Sequence, residues 1–475
     1  MTKHFFIETL GCQMNVLDSE LAAAGLLELG YRPTEDRRKA DLIIFNTCSV
    51  RQHAEDKVYS ALGRLKHIKT QKPGKMIAVL GCMAQKDREL IFRRAPHVDV
   101  VLGPGQLAQL PDIIRRIEAG EGPICEVSMD RKQGPRREIA ASFKPFDPMR
   151  RSEVRRQRHQ AMLRIMFGCD KFCTYCIVPS VRGPEQSRPP AEIIAEARQL
   201  AEQGVLEVTL VGQTVNSYRY KDGDKTYRLS DLLYAIHDID GLKRLRFVTN
   251  YPLHMTQDLL EAVRDLPKVC PYLHVPAQSG SNRILDRMKR RYTVEEYRDM
   301  LARIRETVPE AAVTSDFIVG FCGETDDDFE ATVALVREAR FKNSFIFKYS
   351  PREGTKAFEL YPDDVPEAVK RARNNHLLAV QNEISLEENR RFVGQTVEIL
   401  VEGASKASRK TEDPQEGQLS GRTMCDRIVV FDGDPSLIGR IVPVTITDAT
   451  AVTLFGTTAS TPSGTSTCDV GASQG

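Results

Sequence analysis

The chain of 475 residues contains no tryptophan, and aromatic residues make up only 7% of it. No run of 18 or more apolar residues occurs, so a membrane-spanning helix is not expected. The first residues, MTKHFFIETLGCQMN, lack a long apolar stretch and a cleavage site of small residues, so no export signal is predicted. Because the chain has 67 basic and 65 acidic residues, its overall charge does not indicate a nucleic-acid partner. We therefore expect a globular cytoplasmic protein of about three domains.

Cysteine, by contrast, is plentiful, with 11 residues in the chain. An odd number without an export signal favours metal or cluster ligation over a disulfide framework. Cys169, Cys173 and Cys176 lie in GCDKFCTYC, directly after an apolar run. Three thiolates at this spacing can bind three irons of a [4Fe–4S] cube and leave the fourth iron open to a cofactor or substrate. A structural zinc site is the alternative, but it usually needs four ligands.

A second set of cysteines follows three separate apolar runs. Cys12, Cys48 and Cys82 end the stretches FFIETLGC, LIIFNTC and MIAVLGC. These runs alternate with helix-like segments, which predicts a parallel α/β sheet. Because parallel strands end at the same edge of a sheet, we expect the three cysteines to converge there. The alternative is three buried thiols that act as small apolar side chains.

The whole pattern predicts a multidomain α/β protein. Residues 1–145 are expected to form the N-terminal parallel α/β domain, and residues 155–391 a partial TIM-type barrel, with a linker over 120–159 between the two patterns. In 392–457 the apolar period changes to two, which predicts a small antiparallel β-barrel. The polar, low-complexity stretch 458–475 is predicted to be disordered.

The motif GCDKFCTYC resembles the cysteine motif of the radical S-adenosylmethionine superfamily. The resemblance implies that the open iron binds S-adenosylmethionine and delivers one electron to it, so that reductive cleavage gives a 5′-deoxyadenosyl radical. It also implies that Tyr175 lies beside the adenine. Further cofactor contacts are predicted for polar residues in or after barrel strands: Gln213, Gln278, Ser279 and Asp316. The alternative is that these residues only cap helices or turns.

Two sets of three cysteines resemble the methylthiotransferase family over nearly the whole chain. Shared stretches include LGCQMNVLDSE, VLGCMAQ and HVPAQSGSNRILDRMKRRYT. The resemblance implies a second [4Fe–4S] cluster on Cys12, Cys48 and Cys82, and VEGASK with GRT resembles a TRAM domain, an RNA-binding module. One departure is GFCGET, which places Cys322 where the family usually has proline.

Within this family, GCQMN, NTCSVR and GQTVNSY resemble the MiaB type. That resemblance implies methylthiolation at C2 of N6-isopentenyladenosine at position 37, in the anticodon loop of tRNA. An electron donor such as flavodoxin or ferredoxin would be required, while the sulfur donor stays open. The alternatives are an enzyme for another tRNA adenosine derivative or for ribosomal protein S12, a structural iron–sulfur or zinc RNA-binding protein, and a redox-sensing regulator.

Basic side chains are candidates for phosphate contacts with such an RNA. In the central region they are Arg182, Arg188 and the run from Arg150 to Arg158, and in the predicted barrel they are Lys406, Arg409 and Lys410. Contacts of this kind would make RNA binding depend strongly on salt.

Overall fold

The computed structural model describes residues 2–49, 52–72, 74–131, 133–144, 150–155, 157–406, 408 and 417–458. Its backbone divides into two compact units, residues 1–381 and 382–475. Arg409, Lys410 and all but the first residue of the predicted tail 458–475 lie outside the described residues. Within the described ranges, none of the helices combines the length and the apolar character that crossing a bilayer requires.

The first unit opens with a six-stranded parallel sheet in the order β2-β1-β3-β4-β5-β6. Its strands are β1 (His4–Leu10), β2 (Arg32–Pro33), β3 (Leu42–Thr47), β4 (Met76–Gly81), β5 (Val100–Leu102) and β6 (Ile124–Glu126). The helices are α1 (Gln13–Glu28), α2 (Gln52–Gln71), α3 (Cys82–Asp87), α4 (Leu90–Arg94), α5 (Leu110–Glu118) and α6 (Arg136–Ser142). Apolar clusters cover both faces of the sheet, so β3 and β4 are buried throughout and consist largely of apolar residues. The predicted parallel α/β sheet is confirmed.

The predicted linker 120–159 was wrong at two short segments, because it contains β6 and α6. Strand β6 has only three residues, and it joins the sheet by pairing with β5. A strand this short leaves no periodic signal among the glycine, proline and charged residues around it, so its place is fixed by tertiary pairing.

The central part of the first unit carries six parallel strands in chain order, arranged as two three-stranded sheets, β7-β10-β13 and β14-β15-β16. The strands are β7 (Gln160–Arg164), β8 (Met166–Phe167), β9 (Gln186–Ser187), β10 (Glu207–Val211), β11 (Arg219–Asp222), β12 (Lys225–Arg228), β13 (Arg244–Phe247), β14 (Tyr272–His274), β15 (Ala312–Val319) and β16 (Asn343–Lys348). The helices are α7 (Val178–Arg182), α8 (Pro190–Glu202), α9 (Leu229–His237), α10 (Gln257–Asp265), α11 (Asn282–Arg287), α12 (Val294–Thr307), α13 (Asp326–Ala339), α14 (Lys356–Leu360) and α15 (Glu367–Arg390). Residues 382–390 of α15 already belong to the second unit. This strand–helix alternation is the predicted partial barrel.

The second unit contains a closed barrel in the order β17-β18-β19-β21-β20. Its strands are β17 (Thr396–Ala404), β18 (Gln418–Arg422), β19 (Ile428–Asp432), β20 (Ile441–Ala449) and β21 (Thr453–Thr458). Its core is apolar and includes Ile399, Val429 and Leu454. The small barrel is confirmed, with one correction: β19 and β21 pair in parallel, so the barrel is not purely antiparallel. Five strands cannot alternate in direction all the way around a closed barrel, so one parallel pair is unavoidable.

Candidate active site

Cys12, Cys48 and Cys82 lie together at one edge of the N-terminal sheet. They follow β1, β3 and β4, which are neighbours whose carboxyl ends are aligned by the strand register. A hydrogen bond from Cys48 is the largest influence that lowers the pKa of Cys12, to about 6, against the opposing effect of burial. Burial raises the pKa of Cys82, and the charge of Arg182 opposes that rise. The edge therefore brings three thiols together, and the pKa values of Cys12 and Cys82 are shifted in opposite directions.

Two buried asparagines form hydrogen bonds beside the cysteines at this edge. Asn15 Nδ2 donates to Asn46 Oδ1 (3.0 Å), and the Cys12 thiol donates to Asn15 Oδ1 (3.3 Å). Gly81 ends β4 with a φ of +92°, and a Cβ there would lie 2.4 Å from Asn46 Oδ1. Only glycine fits this backbone and this close approach, so the Gly81–Cys82 pair sets how β4 delivers its cysteine.

Arg182, at the end of α7 in the partial barrel, reaches this same edge. Its side chain is 2% exposed, and its Nε donates to Cys82 Sγ (3.3 Å). Its Nη2 lies 2.7 Å from Asp18 Oδ2, a close ion pair with poor hydrogen-bond alignment. Arg164 contributes a second guanidinium, with Nη1 3.4 Å from Asp18 Oδ1. Two buried arginines of the barrel thus hold a carboxylate of α1 and place positive charge beside the cysteines.

Cys169, Cys173 and Cys176 occupy the loop between β8 and α7. Burial raises the pKa of Cys169 to about 11, and burial also raises the pKa of Cys176. Arg290 Nη1, itself buried, donates to Cys173 Sγ (3.3 Å). Buried thiols with raised pKa values become thiolates when iron binds them, so this donor set fits a metal cluster.

Helix α7 connects the two cysteine sets, because it begins two residues after Cys176 and packs against Cys82. Cys82 packs with Ile177 and Val181, and Ile177 directly follows Cys176. A cavity of about 140 Å³ opens here, with Ser49 and Ile177 among its lining residues. Within the described part of the chain, no three histidine, cysteine or acidic side chains close around a single metal ion. A [4Fe–4S] cube instead takes one thiolate per iron and spreads its ligands more widely.

The two predicted glutamines carry buried atoms that the protein does not use. In the described part of the chain, Gln213 Oε1 and Gln278 Oε1 are both buried without a hydrogen-bond partner. Gln213 follows β10, and Gln278 has a φ of +70°, an uncommon conformation for this residue type. A buried acceptor without a partner is costly unless a ligand supplies a donor. Both side chains therefore fit contact with the polar groups of S-adenosylmethionine.

The other predicted cofactor residues have partners within the protein. Ser279 Oγ lies 3.4 Å from Thr332 Oγ1, and Asp316 Oδ1 lies 3.0 Å from His274 Nε2. Tyr175 packs edge-on against Phe321, with ring centroids 6.5 Å apart. Ser279 and Asp316 lie next to Gln278, and Tyr175 lies in the cysteine loop. Contact of these three residues with the cofactor stays a prediction.

The predicted phosphate contacts of the central arginines were wrong for the side chains that the structure buries. Arg150, Arg155, Arg182 and Arg188 are at most 7% exposed. Arg150 Nη2, for example, lies 2.7 Å from Glu20 Oε2, which ties the start of the barrel domain to α1. A basic stretch in a sequence does not reveal that its charges are neutralised by distant carboxylates.

Arg131 lies in the predicted linker and supports the cysteine loop, although no sequence pattern marks it as a functional residue. It donates to the carbonyl oxygens of Pro179 (2.7 Å) and Cys169 (3.0 Å), and it ion-pairs with Asp170 (3.0 Å). Its guanidinium also covers the Phe172 ring at 4.6 Å. The segment that follows the N-terminal sheet therefore holds the cysteine loop of the barrel domain in place.

Three family models match successive parts of the chain. Residues 4–103 match Uncharacterized protein family UPF0004, residues 163–336 match the Radical SAM superfamily, and residues 390–459 match the TRAM domain. The radical S-adenosylmethionine methyltransferase TsrM from Kitasatospora setae shares the fold, with a TM-score of 0.53 and 14% identity over 75% of this chain and 74% of that one. The chain is thus a radical S-adenosylmethionine enzyme, a class that uses S-adenosylmethionine and a [4Fe–4S] cluster.

More specific relatives cover almost the full length. The tRNA-2-methylthio-N(6)-dimethylallyladenosine synthase of Rhodopirellula baltica is 57% identical over 96% of this chain and 95% of its own. That of Moorella thermoacetica is 45% identical over 96% of this chain and 98% of its own. The chain belongs to the tRNA-2-methylthio-N(6)-dimethylallyladenosine synthase family.

Proposed function

We propose that this enzyme transfers a methylthio group to C2 of N6-dimethylallyladenosine, also called N6-isopentenyladenosine, at position 37 of tRNA. The observation that carries the proposal is the pair of three-cysteine sets connected by α7, one on each domain. The names of the full-length relatives support the same reaction. In this proposal, residues 1–145 form the sulfur-carrying domain and residues 155–391 form the radical-forming domain. Residues 392–457 form the RNA-binding domain.

Each cysteine set has an assigned role in this proposal. Cys169, Cys173 and Cys176 hold the [4Fe–4S] cluster that binds S-adenosylmethionine, and Cys12, Cys48 and Cys82 hold a second [4Fe–4S] cluster. When bound, these groups supply one-electron activation of the C2–H bond and the sulfur that replaces the hydrogen. The three remaining assignments, Tyr175, Ser279 and Asp316, belong to the adenosine part of the cofactor.

The protein's own side chains prepare the site for this chemistry. Arg182 and Arg290 each donate to one cysteine sulfur, so each set has a fixed positive charge beside it. Gln213 and Gln278 carry buried acceptors without a partner among the described residues, and in this proposal they accept from the cofactor's donor groups. These contacts hold the reacting groups in place without moving a proton, because arginine stays protonated and the amides do not titrate.

The target base has to enter between the two sets, near the cavity beside Ser49 and Ile177. A base in a single-stranded loop is unstacked at low cost, so the anticodon loop is a suitable substrate. The electrons come from an external donor of the flavodoxin or ferredoxin class, as expected for an enzyme of the cytoplasm.

The direct test is nucleoside mass spectrometry after anaerobic reconstitution of the chain with iron and sulfide. The reaction would contain S-adenosylmethionine, dithionite, a sulfur source and tRNA that already carries dimethylallyladenosine. We expect a nucleoside heavier by one methylthio group in place of hydrogen, and no product on the matched tRNA with unmodified adenosine. Modification of ribosomal protein S12 with unchanged tRNA would contradict the proposal and support the protein-modifying alternative.

A further inference from the structure

A short exposed β-hairpin in the barrel domain carries charges that its fold does not explain. Strands β11 and β12 pair in an antiparallel register around Gly223, which has a φ of +57° in the two-residue turn. The register places Arg219 directly opposite Arg228, and both are exposed. Like charges directly opposite each other destabilise an antiparallel pair. An unfavourable arrangement of this kind indicates a binding role for the side chains.

The two faces of the hairpin differ in charge. Residues that are directly opposite, or two positions apart along a strand, share a face. One face therefore carries Arg219, Lys221, Thr226 and Arg228, and we call it the cationic face. The opposite face carries Tyr220, Asp222, Lys225 and Tyr227. On this face the acidic Asp222 is directly opposite the basic Lys225.

The cationic face borders a cavity of about 340 Å³, which Arg219 and Arg228 help to line. Glu185 lines the same cavity, and its Oε1 lies 3.3 Å from Lys171 Nζ, in the loop between Cys169 and Cys173. The cavity thus lies next to the cysteine loop. Asp258 on its wall is 3.6 Å from Arg228, an exposed pair of small energetic value.

The wall also contains His254, whose Nδ1 lies 2.7 Å from Ser217 Oγ. Burial, and then the charges of Lys171 and Arg219, lower its pKa to about 4. The cavity wall therefore has a neutral imidazole at neutral pH, and the nearby positive charge comes from the hairpin and Lys171.

We propose that the cationic face is a docking surface for the sugar–phosphate backbone of the tRNA substrate, beside the nucleoside that is modified. This inference rests on the proposed function for the identity of the RNA. Three exposed cations on one face complement the regular negative charge of a nucleic-acid strand, and the neighbouring cavity is large enough to receive a nucleotide. The face lies on the radical-forming domain, so it would guide the anticodon loop independently of the TRAM domain.

The test measures tRNA affinity of the full-length reconstituted protein at several salt concentrations. The variant Arg219→Gln/Lys221→Gln/Arg228→Gln removes the cationic face, and Lys225→Gln is the matched control on the opposite face of the same hairpin. We expect the triple variant to bind tRNA about tenfold more weakly. The slope of log affinity against log salt should fall by about 2, at about 0.7 per phosphate contact of a single strand. The control should keep the wild-type slope.

Thermal unfolding distinguishes docking from a structural role. Removing the opposed Arg219–Arg228 pair should leave the midpoint unchanged or raise it, whereas a fold-supporting face would lower it. If the triple variant unfolds early, Lys221→Gln alone replaces it, with an expected slope change of about 0.7.

Two results would overturn the inference. One is an unchanged affinity and salt slope in the well-folded triple variant, even if the wild-type protein methylthiolates tRNA normally. The other is normal tRNA binding with impaired reduction by flavodoxin, which would assign the face to the electron donor. Conversely, loss of tRNA binding by the variant, with no methylthio product from the wild type, would refute the proposed function and leave the docking surface standing.

Discussion

At the scale of single residues, each cysteine set is accompanied by one buried arginine from the barrel domain. Arg182 contacts Cys82, and Arg290 contacts Cys173. Arginine stays protonated when it is buried, so it provides a permanent positive charge next to sulfurs that would bind a cluster as thiolates in the proposed function. Arg182 has a second task, because its pairing with Asp18 joins the barrel domain to α1.

Replacing Arg182 should therefore destabilise the chain strongly. Arg182→Ala leaves Asp18 with only the more distant Arg164, and breaking a buried ion pair from one side costs about 3–5 kcal/mol. Urea unfolding of the variant measures this loss. Arg198→Ala, on the exposed face of α8, is the control and should change the free energy of unfolding by less than about 0.5 kcal/mol. Equal midpoints for the two variants would contradict the assigned role.

His254 gives a pH-dependent prediction. Its pKa is about 4 in the folded chain and about 6.5 in the unfolded chain, so below pH 6.5 the unfolded state takes up the proton first. The folded state should therefore lose stability as the pH falls from about 6.5 to about 4. The two pKa values correspond to about 2 kcal/mol at pH 5, and solvent screening of the half-buried ring reduces this to about 1 kcal/mol. Unfolding of the cluster-free His254→Gln variant at pH 7.5 and pH 5 should show a smaller loss than the wild type. A loss of the same size in both proteins would show that His254 does not cause it.

The cysteines could be predicted from the sequence, whereas the arginines beside them could not. Cys12, Cys48 and Cys82 each follow an apolar run, and the common direction of parallel strands then brings them to one edge. Arg182 has no such signal, because its partners Asp18 and Cys82 lie in a different domain. Burial and pairing of a charged side chain depend on tertiary contacts, so a basic residue appears the same in a sequence whether it binds RNA or a buried carboxylate.

At the scale of elements, the end of β4 decides how the second cysteine set is built. Gly81→Ala would place a Cβ 2.4 Å from Asn46 Oδ1 and force alanine to a φ of +92°. We expect a loss of about 1–3 kcal/mol in stability. We also expect loss of methylthio product while 5′-deoxyadenosine still forms, because the barrel loop is untouched.

Gly63→Ala in α2 is the matched control for this substitution. No atom lies within 4 Å of a Cβ at this position, and alanine is the better helix former. The control should be more stable than the wild type by about 0.5–1 kcal/mol. Methylthiolation by Gly81→Ala at the wild-type rate would contradict the role given to the end of β4.

Long elements were predictable and short ones were not. Helix α12 (Val294–Thr307) has a clear sequence signal, because its buried residues recur at helical spacing and it begins at a capping box in which Thr293 and Glu296 hydrogen-bond each other's backbone amides. The hairpin β11–β12 was not predicted, because each strand has four residues and its alternation is polar on both faces. The sequence around Gly223, KDGDK, was the one available signal for its turn.

At the scale of the whole molecule, the six cysteines and the TRAM match fall in different compact units of the chain. All six cysteines of the two sets belong to residues 1–381, and the TRAM match, residues 390–459, falls entirely within residues 382–475. A chain that ends at Arg390 should therefore still cleave S-adenosylmethionine, because every proposed ligand is retained. Its tRNA affinity, measured by filter binding, should fall at least tenfold, since the barrel's contacts are lost. Wild-type affinity in the truncated chain would contradict an RNA-binding role for the barrel.

The central claim is that the two cysteine sets hold separate clusters with separate roles. The most direct measurement compares Cys48→Ala with Cys173→Ala, scoring 5′-deoxyadenosine and methylthiolated nucleoside in the same reactions. Cys48→Ala should form 5′-deoxyadenosine without methylthiolated tRNA, and Cys173→Ala should form neither. Each variant should retain about four irons where the wild type holds about eight, since one [4Fe–4S] cluster remains. Methylthiolated tRNA from Cys48→Ala, or wild-type iron content in that variant, would contradict the account.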